Sequence, residues 1–105
     1  MSTFTLADLE ARVRERAQAS GESSYTRQLL DKGVAHCAKK FGEEAFETAL
    51  AATGEDRERL ASEAGDLLYH LLVLLHARGV TLAEVEALLA KRQTQSGLQE
   101  KASRP

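Results

Sequence analysis

Two pairs of acidic residues with the same spacing form the part of the sequence that could do chemistry. Glu44 and Glu47 make a Glu-x-x-Glu pair, and Glu63 and Asp66 make a Glu-x-x-Asp pair further along the chain. Residues three apart lie on one face of a helix, so each pair would point in one direction. Carboxylate oxygens suit Mg²⁺ or Mn²⁺, ions that commonly also bind substrate phosphates. The pairs therefore indicate a metal site, with Glu43 as an extra ligand or a base.

A solvated surface without function is the competing interpretation of these carboxylates. The chain has 16 acidic residues, and another Glu-x-x-Glu pair, Glu55 and Glu58, is interpreted as plain surface. A turn near Gly54 separates the two candidate pairs, and at about 1.5 Å per residue both lie roughly 10–14 Å from it. Four carboxylates could thus converge between two antiparallel helices, where they would repel one another without a cation. Spacing alone leaves both interpretations open.

Helices must position these residues, because apolar residues recur at helical spacing and no segment alternates as a strand would. Two long helices are predicted, over 34–52 and about 56–78, and shorter helices begin at the capping residues Thr5, Ser24 and Thr81. Glycines are expected to end helices at Gly33 and Gly79. Gly42, inside a long helix, is expected to permit the close approach of another group. The predicted fold is all-α, with four to five helices per chain and a central antiparallel helical hairpin.

The second long helix also bears on assembly. Its segment "LLYHLLVLL", residues 67–75, places leucines around the whole helix axis. A helix that is apolar all round has to be covered on all sides. We expect a homodimer in which two chains complete a larger helical bundle. The alternative is that one protomer folds its short helices over both sides.

The composition describes one small domain and excludes several classes of protein. The chain has 105 residues and a net charge of −2, and no basic stripe offers itself to a nucleic acid. Its longest apolar stretch is far shorter than the roughly 20 residues that span a bilayer. No signal-peptide pattern occurs, and the single cysteine, Cys37, is expected in the core. We expect a cytoplasmic protein with no nucleic-acid or membrane partner, a domain over 1–93 and a polar, frayed or flexible tail over 94–105.

Four motifs resemble those of a known family. They are "SYT" at 24–26, "KKFGEEAFE" at 39–47, "EAGDLLYHLLVLL" at 63–75 and "VEALLAKR" at 85–92. The two acidic pairs, separated by residues 48–62, are similar to the metal pattern of the all-α MazG-like nucleotide pyrophosphohydrolases. Within that superfamily the chain resembles the phosphoribosyl-ATP pyrophosphatases of histidine biosynthesis, from about Thr5 to Arg92. Gly65 departs from the family, which usually has alanine there.

The resemblance implies a defined activity. It implies Mg²⁺-dependent hydrolysis of the α–β phosphoanhydride of 1-(5-phosphoribosyl)-ATP to phosphoribosyl-AMP and pyrophosphate, with Mn²⁺ as a possible substitute. It also implies a homodimer whose active sites are lined by both subunits. The metal would be held by Glu44, Glu47, Glu63 and Asp66. A water held by Glu43 or Glu44 would attack phosphorus.

Several other side chains are candidates for binding the substrate. Lys39 and Lys40, one turn before the glutamates, could pair with phosphates, but lysines four residues before glutamates also stabilise a helix by themselves. Tyr25 could stack on adenine or pack the start of its helix. His70 is interpreted as a hydrogen-bonded core or interface residue. The remaining phosphate-binding candidates are Arg27, Lys32 and Arg92, and the residues expected to pack around the site are Phe41 and Phe46.

Two other functions stay open at the level of sequence. A general nucleoside-triphosphate pyrophosphohydrolase would share the metal site and differ in its substrate. A non-catalytic helical dimerisation module would use the carboxylates only as surface. A carboxylate-bridged di-iron bundle is excluded, because it needs Glu-x-x-His motifs and no histidine stands three residues after a glutamate.

Overall fold

The computed structural model describes residues 3–94 and 97–104, and this part of the chain contains helices and no strand. The helices are α1 (Leu6–Ala17), α2 (Tyr25–Asp31), α3 (Val34–Ala52), α4 (Arg57–Ala77), α5 (Leu82–Arg92) and α6 (Gly97–Ser103). The predicted all-α class is confirmed. The helices described are six, one more than the four to five that the sequence predicts.

The helix starts follow the predicted capping residues. At α1, Thr5 Oγ1 accepts a hydrogen bond from the Asp8 amide at 3.1 Å, and the Asp8 carboxylate accepts one from the Thr5 amide at 3.0 Å. Ser24 caps α2 and Thr81 caps α5, and each side chain accepts a hydrogen bond from a backbone amide of the first turn. These bonds satisfy amides that have no partner inside the helix.

Three glycines were predicted to have structural roles, and two of them do. Gly33, between α2 and α3, has φ of 95°, and Gly79, after α4, has φ of 69°. Both values lie in the left-handed region, which glycine adopts at little cost. A Cβ added at Gly42 would meet nothing within 4 Å among the described residues. The expected close approach of another group to Gly42 is therefore wrong within this chain.

The core lies where α4 meets the first three helices. Its buried members are Val13, Leu29, Cys37, Leu72, Val73 and Leu82. The Cys37 thiol donates to the Leu29 carbonyl at 3.3 Å, and burial raises the pKa of that thiol. The most extensive contact between any two helices is that of α3 with α4, which the short turn over residues 53–56 connects. These two helices carry the acidic pairs.

The apolar residues of the long helices are covered unevenly. On α4, Leu72 and Val73 are buried, whereas Leu68 is exposed. On α3, Phe46 and Leu50 expose 65% and 51% of their surfaces. The expectation that Phe46 packs around the acidic residues is therefore wrong within this chain, although Phe41 is half-buried. No helix among the described residues is long and apolar enough to cross a membrane.

Two features of the structure are not predicted by the sequence, one at the start of α5 and one in the polar tail. The carboxylate of Glu10, on α1, accepts a hydrogen bond from the Leu82 amide at 2.7 Å and so caps α5 from a distant helix. In the polar tail, Gly97–Ser103 form α6, although the segment has no apolar period. Its residues include good intrinsic helix formers, which accounts for the helix. Gln95, Ser96 and Pro105 of the predicted tail lie outside the described residues.

Candidate active site

Three of the four predicted metal ligands converge between α3 and α4. One carboxylate oxygen from each of Glu44, Glu63 and Asp66 lies within 4.8 Å of the other two. Glu44 and Glu63 are half-buried, and Asp66 is exposed. Glu47 lies outside this group of three, but its negative charge acts on Glu63. The structure thus brings one acidic pair, Glu63 and Asp66, together with Glu44 of the other pair.

The carboxylate of Glu63 lies in surroundings that disfavour its negative charge. Its Oε2 atom is buried and has no hydrogen-bond partner among the described residues. Burial raises the pKa of Glu63, and the negative charges of Glu47, Glu44 and Asp66 raise it further. A buried oxygen without a donor is costly, and like charges at close range disfavour ionisation. A divalent cation would satisfy this oxygen and offset the repulsion, so the residues present fit Mg²⁺ or Mn²⁺.

A hydroxyl connects the two helices at the level of the carboxylates. Thr48 Oγ1 lies 2.7 Å from the Glu44 carbonyl oxygen and 3.1 Å from the Glu63 carbonyl oxygen. Sequence reasoning did not identify Thr48. A threonine in a helix predicts only a bond to the carbonyl four residues earlier, and the second carbonyl depends on how α3 and α4 meet.

Lys40 pairs with Glu43 in the structure. Its ammonium lies 3.2 Å from the Glu43 carboxylate, one helical turn from the carboxylate cluster. The hydrogen bond with Glu43 raises the pKa of Lys40, and the same bond lowers the pKa of Glu43. Glu43 is therefore held as a carboxylate, and it does not belong to the group of three. Lys39 is exposed on the same helix.

An aromatic group lies beside the cluster, one turn further along α4. Tyr25 is half-exposed, and the centroid of its ring lies 6.4 Å from the centroid of the Tyr69 ring and 6.2 Å from that of the His70 ring. His70 is buried, and its Nδ1 donates to the Asp66 carbonyl at 2.8 Å, because a carbonyl can only accept. His70 is thus a hydrogen-bonded core residue, as interpreted from the sequence. Tyr25 packs on these rings and is 51% exposed, so a role in stacking on adenine stays a prediction.

The other predicted phosphate-binding residues lie on α2 and α5. Arg27 donates to the Ala17 carbonyl at 2.8 Å and forms an ion pair with Asp31 at 2.8 Å. It therefore links α1 to α2. Lys32 follows the last residue of α2, and Arg92 ends α5; both are exposed. Their roles toward a substrate stay predictions.

The chain matches a known protein family over most of its length. The model of that family, described as phosphoribosyl-ATP pyrophosphohydrolase, matches residues 6–93. This segment contains both acidic pairs, Thr48 and all of α1 to α5.

Curated relatives resemble the chain along nearly its whole length. A phosphoribosyl-ATP pyrophosphatase 1 of Bradyrhizobium diazoefficiens is 62% identical over 99% of this chain and 98% of the relative. A phosphoribosyl-ATP pyrophosphatase of Azorhizobium caulinodans is 65% identical over 95% of this chain and 92% of the relative. One of Rhizobium meliloti is 54% identical, over 99% and 97%. The chain belongs to the phosphoribosyl-ATP pyrophosphohydrolase family.

Proposed function

We propose that this chain hydrolyses phosphoribosyl-ATP to phosphoribosyl-AMP and pyrophosphate, the second step of histidine biosynthesis. The observation that carries the proposal is the carboxylate cluster inside the matched segment, where Glu44, Glu63 and Asp66 meet between α3 and α4. A group of oxygen ligands of this kind suits a divalent cation that also binds phosphate oxygens. The cytoplasmic location stays a prediction from the sequence.

The metal ligands proposed are those of the two acidic pairs: Glu44, Glu47, Glu63 and Asp66. When bound there, Mg²⁺ would neutralise charge on the phosphate oxygens and on the departing pyrophosphate. The buried Oε2 atom of Glu63 supports this assignment, because it has no other partner among the described residues. Glu47 is included because its charge reaches Glu63.

The remaining residues would handle the water and the phosphates. Glu43 or Glu44 would orient the attacking water and accept its proton. Lys39 and Lys40 would bind phosphate oxygens. Lys40 already holds Glu43, but an ammonium has three donors, so it can hold a phosphate oxygen at the same time. Tyr25, which is half-exposed, would stack on adenine.

We propose further that α3 and α4 form the central antiparallel hairpin of a homodimeric bundle. The order of the contacts supports an antiparallel arrangement. Thr48, later on α3, contacts Glu63, earlier on α4, whereas Glu44, earlier on α3, lies near Asp66, later on α4. A second chain would cover the apolar side chains that one chain leaves exposed. These include Phe46 and Leu50 on α3 and Leu88 and Leu89 on α5.

The substrate is tested by measuring pyrophosphate release, with and without Mg²⁺, from phosphoribosyl-ATP and from ordinary deoxynucleoside triphosphates. We expect Mg²⁺-dependent release with a clear preference for phosphoribosyl-ATP. Preference for a deoxynucleoside triphosphate would instead favour a general nucleotide pyrophosphohydrolase. No release from any of these compounds would favour a non-catalytic dimerisation module.

The metal ligands are tested with Glu47→Gln, which removes one negative charge and keeps the shape of the side chain. We expect turnover to fall by about 100-fold or more, because metal ligation fails, while the helical circular dichroism spectrum is unchanged. Glu58→Gln is the matched control, since Glu58 ends the exposed Glu-x-x-Glu pair. Full activity of Glu47→Gln would show that this ligand assignment is wrong.

A further inference from the structure

We infer that Thr48 is a positioning residue that sets the separation of the two helices carrying the metal ligands; the inference rests on the proposed metal site. Its hydroxyl oxygen lies 2.7 Å from the Glu44 carbonyl oxygen and 3.1 Å from the Glu63 carbonyl oxygen. Glu44 opens the acidic pair on α3, and Glu63 opens the pair on α4. The hydroxyl therefore bridges the backbones at the two positions where the site is built.

The bond to Glu63 is what distinguishes Thr48 from an ordinary helical threonine. A threonine hydroxyl inside a helix often donates to the carbonyl four residues earlier, as Thr48 does to Glu44. Here the same oxygen also reaches a carbonyl of the facing helix. The Glu63 carbonyl has two lone pairs, so it can accept this bond in addition to its own helical bond. The single hydroxyl proton is shared between the two carbonyls, and α3 cannot move away from α4 here without losing that bond.

A fixed separation matters because the carboxylates repel one another and the cation is demanding. Glu44, Glu63 and Asp66 hold their oxygens within 4.8 Å of one another, and their like charges push α3 and α4 apart. Mg²⁺ needs near-octahedral geometry with bonds of about 2.0–2.1 Å, whereas Ca²⁺ accepts about 2.3–2.6 Å and irregular geometry. Loss of the hydroxyl should therefore weaken Mg²⁺ binding more than Ca²⁺ binding.

The test is isothermal titration calorimetry, which measures the binding of Mg²⁺ and, separately, of Ca²⁺ to the full chain in the absence of substrate. Thr48→Val replaces the hydroxyl by a methyl group of similar shape, and Thr48→Ser retains the hydroxyl. Thr53→Val is the matched control, because among the described residues the Thr53 hydroxyl, just after α3, donates to the Leu50 carbonyl of α3 at 2.7 Å and to no residue of α4. We expect Thr48→Val to weaken Mg²⁺ binding by about tenfold and Ca²⁺ binding by less, with Thr48→Ser and Thr53→Val within about twofold of the wild type.

The outcomes separate this inference from the function on which it rests. If the wild type binds no Mg²⁺, the proposed metal site fails and the role of Thr48 fails with it. If the wild type binds Mg²⁺ and Thr48→Val binds it equally well, only the role of Thr48 is overturned. Equal losses for both ions would mean a general structural role and would also overturn the inference. Should Thr48→Val not fold, Thr48→Ala lacks the same hydroxyl and is expected to show the same selective loss.

Discussion

At the scale of single residues, the folded chain keeps one carboxylate in surroundings that disfavour its charge. Glu63 is half-buried, one of its oxygens has no partner among the described residues, and three acidic side chains act on it. Ionisation of Glu63 is therefore unfavourable in the metal-free state, and a bound cation would offset this cost. Such a residue serves binding at the expense of stability.

The disfavoured charge of Glu63 predicts how the stability of the Glu63→Gln variant depends on pH. The pKa of Glu63 is raised in the folded chain, so the folded state holds that proton more tightly than the unfolded state does. Metal-free wild type therefore loses stability as pH rises through the unfolded and then the folded pKa of Glu63. Glutamine cannot ionise and escapes this loss. We expect Glu63→Gln to melt at a higher temperature than wild type at neutral pH in a chelator, with the gain disappearing in acid.

Thermal unfolding followed by circular dichroism over a pH series measures the effect. Glu58→Gln again serves as the control, because Glu58 is exposed at the start of α4, away from the cluster. A Glu63→Gln variant that melts no higher than wild type at neutral pH would contradict the unfavourable ionisation of Glu63.

Residue-level reasoning from the sequence works best where spacing along one helix is enough. The three-residue spacing identifies the two acidic pairs, and Glu44, Glu63 and Asp66 of these pairs meet in the structure. Spacing could not decide that Lys40 pairs with Glu43, since side chains three and four residues apart are both within its reach. It could not find Thr48 either, because the Glu63 carbonyl belongs to another helix.

At the scale of helices, the boundaries were predictable because local chemistry sets them. Thr5, Ser24 and Thr81 satisfy first-turn amides from within a few residues, and the glycines at 33 and 79 adopt left-handed backbone. The contact from Glu10 to the start of α5 was not predictable, because the two residues are 72 positions apart. The close approach expected at Gly42 is absent within this chain, because the cost of a glycine in a helix does not show what lies against it.

The glycines give a prediction at this scale. Gly42 lies in the interior of α3 with open space around it within one chain, so in the monomer Gly42→Ala should raise the free energy of unfolding by about 0.5–1 kcal/mol. Gly79 has φ of 69°, so Gly79→Ala should lower it by about 1–2 kcal/mol. Urea denaturation of the two variants measures both changes. Destabilisation by Gly42→Ala would instead indicate that the second chain of the proposed dimer packs closely on Gly42, which lies one turn before Phe46 on α3.

At the scale of the whole molecule, one chain leaves much of its apolar surface uncovered. The exposed side chains Phe46 and Leu50 lie one turn apart on α3, and Leu68 is exposed on the neighbouring α4. The leucines around α4 predict that one chain does not suffice to cover this helix, and the homodimer stays a prediction. The sequence could not indicate which side would stay exposed, since that depends on where α1 and α2 lie.

A homodimer predicts a specific response to charge on this surface. The double variant Phe46→Glu, Leu50→Glu places two carboxylates where a second chain would pack, so we expect it to shift from dimer to monomer in light scattering after size exclusion. Leu98→Glu is the control: Leu98 is also exposed but lies outside the segment that matches the family. A monomeric wild type, or a double variant that stays dimeric, would contradict this arrangement.

The short turn between α3 and α4 has a consequence for how the chain folds. Only the four residues 53–56 connect the two long helices, so little chain entropy is lost when these helices meet. Their contact is local in sequence, whereas Glu10 must find Leu82 72 positions away. Local contacts of this kind form early in folding. We therefore expect the carboxylates of α3 and α4 to approach one another early in folding, where their mutual repulsion would slow folding as well as lower the stability of the finished structure.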